Sequence, residues 1–289
     1  LKTKTLLIVV ITLWEATALP RGMNASQLNQ YTQSISNSDP SVRFAGMHNI
    51  AELLERSPDK AGNEVLPLLD KGLNDADEKV RALAVGSVAI IAMETTPKLG
   101  SAKAGLPDLR SFAPLRGDLE KAMFDSDAQV RRAALGAYFF TFDVSPDLQS
   151  KLIGQFAGEE KTGLQPLIID ALMTCKAPTP ATQAFLTKLL NDPKLAPFVV
   201  QSIATVPVSS TIAPPPAAAL PRLADMVTSE TNGSKRQLLA RALGKYGAQA
   251  RPYLRRIEQL QQKESDAVTR ANLKAAADAI RLGKPLGED

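Results

Sequence analysis

One short phrase constrains the fold of this chain more than any other feature. Asp-x-x-Val-Arg occurs at Asp39, Asp77 and Asp127, each time followed by a run of small and apolar residues. The valines stand at positions 42, 80 and 130, a spacing near the roughly 40 residues of a two-helix repeat. A phrase that returns at such a period marks a building unit rather than an active site. The longer second interval has a visible cause, because Pro97, Gly100, Gly105, Pro107 and Pro114 interrupt it and predict an extended loop.

Each part of the phrase has a physical job at the start of a helix. Asp39, Asp77 and Asp127 lie three residues before the valine, where a carboxylate accepts the free N–H groups of the first turn and meets the positive end of the helix dipole. Pro40 suits the first helical turn, where its missing N–H costs nothing. Val, then Ala45 and Gly46, Ala84, or Ala133, Ala134 and Ala137, form a narrow stripe against which another helix can pack closely.

These residues resemble the HEAT-repeat superfamily, especially the short repeats of bilin-lyase-like proteins. The resemblance implies that Val-Arg opens the second helix of each pair. It also implies that Asp39, Asp77 and Asp127 form a charged ladder between repeats with Arg43, Arg81 and Arg131. Bilin attachment itself conflicts with the export signal described below, and a shared repeat does not fix a function.

Beyond residue 145 the phrase decays, but helical apolar spacing continues over 146–157, 163–175, 180–190 and 196–206, with Ser145-Pro146 and Thr179-Pro180 as helix starts. Near the end, Gly244 and Gly247 break the chain and Pro252 can open another helix. The order Asp266, Val268, Arg270 departs from the motif, so no ladder contact is expected there. With 44% hydrophobic but only 5% aromatic residues, the apolar surface suits close-packed helices. The expectation is an all-α solenoid of six or seven stacked helix pairs. Four prolines in 207–216 predict a linker or inter-repeat loop between lobes 19–206 and 217–289.

Lys2 and Lys4, the uncharged run Leu6 to Trp14 and Ala16-Thr17-Ala18 follow the order of a secretory signal peptide. This predicts cleavage after Ala18 and a periplasmic or extracellular protein, with no segment long enough to span a membrane. The remaining chain has 32 basic and 29 acidic residues, too small an excess to indicate nucleic-acid binding. The second lobe is the basic one, with 13 basic and 8 acidic residues.

No catalytic, cofactor or metal site is legible. His48 is the only histidine and Cys175 the only cysteine, so neither a triad nor a Cys/His metal cluster can be built from the usual parts. Cys175 reads as a small buried hydrophobe, and Glu159-Glu160 as a solvated turn. Asn24-Ala25-Ser26 and Asn232-Gly233-Ser234 match glycosylation sequons.

Two surfaces are candidates for partner binding. Counting about 100° per residue from each valine places Phe44, Met47, Ala51, Ala82, Val85, Ala89, Arg132, Leu135 and Phe139 opposite the seam. Their apolar character leaves two readings, burial by flanking repeats or an apolar groove. In the second lobe, Gln237, Arg241 and Lys245 recur every four residues opposite Leu239, Ala242, Leu243 and Tyr246, a stripe suited to an acidic protein surface or anionic headgroups. Together these features predict a non-catalytic scaffold for a protein partner. A carrier of apolar peptide or lipid, or an enzyme of unrecognised type, are the alternatives.

Overall fold

The computed structural model describes residues 25–56, 64–95, 113–205 and 216–287. Within them are fourteen α-helices and no strand. They pair as α1 (Ala25–Ser34) with α2 (Pro40–Arg56), α3 (Leu66–Leu73) with α4 (Glu78–Thr95), and α5 (Arg116–Ala122) with α6 (Ala128–Thr141). Then come α7 (Pro146–Gln155) with α8 (Gln165–Met173), α9 (Pro180–Leu189) with α10 (Ala196–Thr205), α11 (Leu220–Ser229) with α12 (Gly233–Gly244), and α13 (Leu254–Lys263) with α14 (Ala267–Leu282). The signal-peptide segment 1–18, the loop between Glu94 and Pro114 from residue 96 to 112, and all but the last residue of 207–216 lie outside the described residues.

The second helices form one layer, α2 on α4 on α6 and so on to α14, and the first helices form the other. This is an all-α solenoid of seven helix pairs among the described residues. A single apolar core runs through it from Ile35 to Ile280. On either side of the proline-rich stretch α10 packs directly on α12, and the Tyr246 hydroxyl donates to the Pro216 carbonyl at 3.1 Å.

Helix starts follow from local chemistry. The Asp127 carboxylate accepts from the Gln129 and Val130 N–H groups, Asp77 from Lys79 and Val80, and Asp39 from Ser41. Ser145 and Thr179 cap α7 and α9 with proline in the first turn. Asn232 and Asp266 cap α12 and α14 in the same way. At the far end Gly283 adopts φ 74°, and the Gly283 and Lys284 N–H groups close on the Ile280 and Ala279 carbonyls, the left-handed stop that glycine allows. The chain then turns back, and the Leu286 N–H reaches the Gly244 carbonyl at 3.0 Å.

The Val-x-x-Ala stripe is the packing seam. Val80, Val130, Ala84 and Ala134 are all buried. Val42, in the first described pair, is 38% exposed, because the surface it presents faces away from the stack.

Candidate functional site

Each ladder arginine makes two kinds of contact. Arg81 donates from Nη1 to the Asp75 and Ala76 carbonyls, both at 2.9 Å, which closes the loop leading into its own helix. From Nε and Nη2 it grips both carboxylate oxygens of Asp125 in the next repeat, at 2.7 and 2.9 Å. Arg43 does the same with the Asn37 and Ser38 carbonyls and with Asp75, and Arg131 with the Asp125 and Ser126 carbonyls and with Glu159. Paired donors on a planar fork give these contacts their strength and fixed direction.

The ladder predicted with Asp39, Asp77 and Asp127 is therefore corrected in its acids. Those three carboxylates are occupied by N-capping, and the rungs use the residue two positions earlier, Asp75 and Asp125, which also accept the N–H of Asp77 and Asp127. Glu159 likewise belongs to a rung and not to a solvated turn. It is buried, and Arg131, Gln155 and Thr162 all donate to it.

The same device recurs in the last two pairs, where the sequence reading did not expect it. Arg236 holds the Glu230 carbonyl and pairs with Glu264, whose other oxygen accepts the Asp266 N–H. Arg270 holds the Glu264 carbonyl at 2.9 Å. Its spacing from Asp266 is that of the motif after all, with buried Thr269 in the place of valine. A signal was present in the sequence. Asn37, Asp75, Asp125, Glu230 and Glu264 each stand six residues before the arginine.

Electrostatics follow the geometry. Burial, the largest single effect, would raise the pKa of Asp75, Asp125 and Glu159, but the guanidinium hydrogen bond, the other hydrogen bonds each carboxylate accepts and the arginine charge together outweigh it and hold all three below the ordinary carboxylate range. Asp170 of α8 goes the other way, raised by burial despite the hydroxyl of Ser202 of α10. Cys175 is buried, and that burial pushes its thiol up to about 12. Between α7 and α9 the buried Gln149 donates to the Val144 and Ala177 carbonyls and accepts from the Thr179 N–H and Thr182 hydroxyl.

The free face of the second-helix layer has one register. Counted from the capping aspartate, its positions are five, nine and thirteen: Phe44, His48 and Glu52 on α2, and Ala82, Gly86 and Ile90 on α4. On α10, Asp192 accepts from the Lys194 and Leu195 N–H groups, and the same count reaches Pro197, Gln201 and Thr205, all exposed. On α12, counted from Asn232, it gives Gln237, Arg241 and Lys245.

Of the two readings, burial by flanking repeats holds for Met47, Val85 and Leu135, which are corrected as partner-binding candidates. Met47, Val85 and Leu135 are buried, at 0%, 0% and 2% exposure. They stand eight residues after the cap, about 60° around the helix from the free face at about 100° per residue, and so point at the next repeat. Phe44 is on the free face and 38% exposed. The side chain of Phe139 lies outside the described residues.

Between α2 and α4 the free face opens into a cleft of about 570 Å³ lined by residues that include Phe44, His48, Ala51, Glu52, Ala82, Leu83, Gly86, Ile90 and Gln129. His48 lies parallel to the Phe44 ring and 3.7 Å from Glu52. A Cβ added at Gly86, or at Gly136 on α6, would meet nothing within 4 Å. Among the described residues no three His, Cys, Asp or Glu side chains converge as metal ligands, and no helix is long and apolar enough to cross a membrane.

The chain is similar in structure to an engineered protein solved by crystallography, with 19% identity, a TM-score of 0.42, and 92% of this chain and 100% of that one covered. It is also similar to a designed armadillo repeat protein, with 18% identity, a TM-score of 0.44, and 88% and 99% covered. No protein-family model matches the chain, and no curated protein matches it.

Proposed function

We propose that the protein is an exported, non-catalytic scaffold of HEAT type that binds a segment of a partner protein along the free face of its second helices. The observation that carries this reading is Gly86. A glycine in the middle of a helix costs about 1 kcal/mol relative to alanine, and no neighbouring atom demands one here. It lies in the wall of the α2–α4 cleft, where the missing side chain leaves room for something outside the fold. The arginine ladder holds the cleft's helices in place before any partner arrives, which lowers the ordering cost of association. Export is supported by the basic, apolar and small-residue order of residues 2–18.

The test is expression with the N-terminal segment intact in a secreting host, followed by mass spectrometry of everything that co-purifies. The wild type is expected to retain a stable protein partner that Gly86→Leu, which fills the cleft without touching the core, does not retain. A lipid lost in the same variant would favour the carrier reading, and identical recoveries from both proteins would refute a role for the cleft.

A further inference from the structure

We propose that the free faces of α12 and α14 form a docking strip for an acidic, amphipathic segment of a protein partner. Two features meet there. On α12, Arg241 is exposed and Lys245 half-buried one turn later. Nearby Arg236, Arg256, Lys274 and Arg281 each have a carboxylate partner, whereas Arg241 and Lys245 have none among the described residues. Burial and the charge of Arg241 both lower the pKa of Lys245, so a carboxylate arriving at this pair relieves a repulsion already present in the fold.

On the neighbouring helix α14, Val268 is 58% and Leu282 73% exposed. They stand two and sixteen residues after the Asp266 cap, on the same side as exposed Ala271 and Ala275. Another face of α14 is charged, with Arg281 bonded to both Asp278 and Glu258. The apolar strip lies on the helix that packs against α12, which carries the two cations. The returning tail is tied at Leu286 to Gly244 and passes close to Lys245 at Gly287; Ala279 is buried, while Val268, Ala271, Ala275 and Leu282 stay exposed.

The shape and charge specify the occupant. From Val268 to Leu282 the strip runs about 21 Å at 1.5 Å per residue, four turns of a helix. The alanines between let another backbone approach closely. A segment with aliphatic residues on one side and Glu or Asp along its flank satisfies both features. Nucleic acid is a poor fit, because base stacking needs aromatic faces and this surface offers alanine. The strip is independent of the α2–α4 cleft, since every group it uses lies on the last two second helices.

The probe is a fluorescein-labelled helical peptide of about sixteen residues built from Leu and Glu, measured by anisotropy against the full chain. Binding is expected to weaken as salt rises, to fall at least about tenfold in Arg241→Glu, and to fall also in Leu282→Ser. Arg255→Glu makes the same change of charge at an exposed position on α13 and is expected to leave binding unaltered. Equal losses in the two charge variants, equal binding of a Gln-for-Glu peptide, or no binding would each overturn the proposal. So would tighter binding to phosphatidylcholine vesicles containing about one-third phosphatidylserine, lost in Arg241→Glu, which would assign the strip to a membrane surface.

Discussion

Arg81 ties the Asp75–Ala76 turn of its own repeat to the Asp125 carboxylate of the next, so one side chain fixes both the entry of α4 and its distance from α6. Arg81→Ala leaves the largely buried Asp125 without its cation and two carbonyls without donors, with an expected loss of about 3 kcal/mol. Arg81→Lys keeps the charge but not the fork, so it should recover only part of that loss. Urea unfolding of the two variants against wild type measures the difference.

The depressed pKa values of Asp75, Asp125 and Glu159 make the fold acid-labile. The unfolded chain takes up protons at these groups before the native state does. Their stabilisation is therefore complete above about pH 5, declines as pH falls through the ordinary carboxylate range, and is lost below the native values. Asp170 has the opposite sign, because burial raises it. Asp170→Asn is expected to stabilise at pH 7 and to lose that advantage in acid, which urea midpoints at the two pH values will show.

Gly86→Leu and Gly136→Ala should each raise stability by about 0.5–1 kcal/mol, since both add helix propensity where no atom obstructs the new Cβ and, at Gly86, the rest of the leucine enters the cleft. Thermal unfolding followed by circular dichroism checks this. A destabilised Gly86→Leu would show that the cleft is packed, contrary to the geometry described.

Gln149→Leu removes both donors and the acceptor that join α7 to the start of α9. The buried Val144 carbonyl and the more exposed Ala177 carbonyl lose their donor, at an expected cost of about 1–3 kcal/mol. Hydrogen exchange at the Thr179 and Thr182 amides should accelerate in the variant.

Cys175, with its thiol held at about 12, should resist a thiol reagent at pH 8 in the native protein and react at once in urea.

The helices and their caps were legible because a capping carboxylate, a proline in the first turn and an apolar stripe are local signals. Asp127, Thr179 and Pro146 needed no tertiary information. The free face was not, because apolar residues opposite the valine seam fit burial by flanking repeats and an open groove equally well. An inner helix in a stack has neighbours on two sides, so Met47 and Val85 could be apolar and buried while Gly86, unremarked, marked the opening. The rung acids were legible in principle from the six-residue spacing to arginine, but Asp39, Asp77 and Asp127 masked them by standing nearer the motif. Gln149 had no signal, since a glutamine between Leu148 and Ser150 looks the same whether it is solvated or serves as the staple of two helices.

The arginine rungs are not continuous. They join the first four pairs and the last two, while the fifth pair is held to the fourth by Gln149 and by Asp170 with Ser202, to the sixth by Arg222 on the Leu190 carbonyl, and to both by apolar packing. Stretched from its ends, such a rod should yield at that softer joint, which would let the two stiff arms reorient about residues 170–220 without any rung being broken.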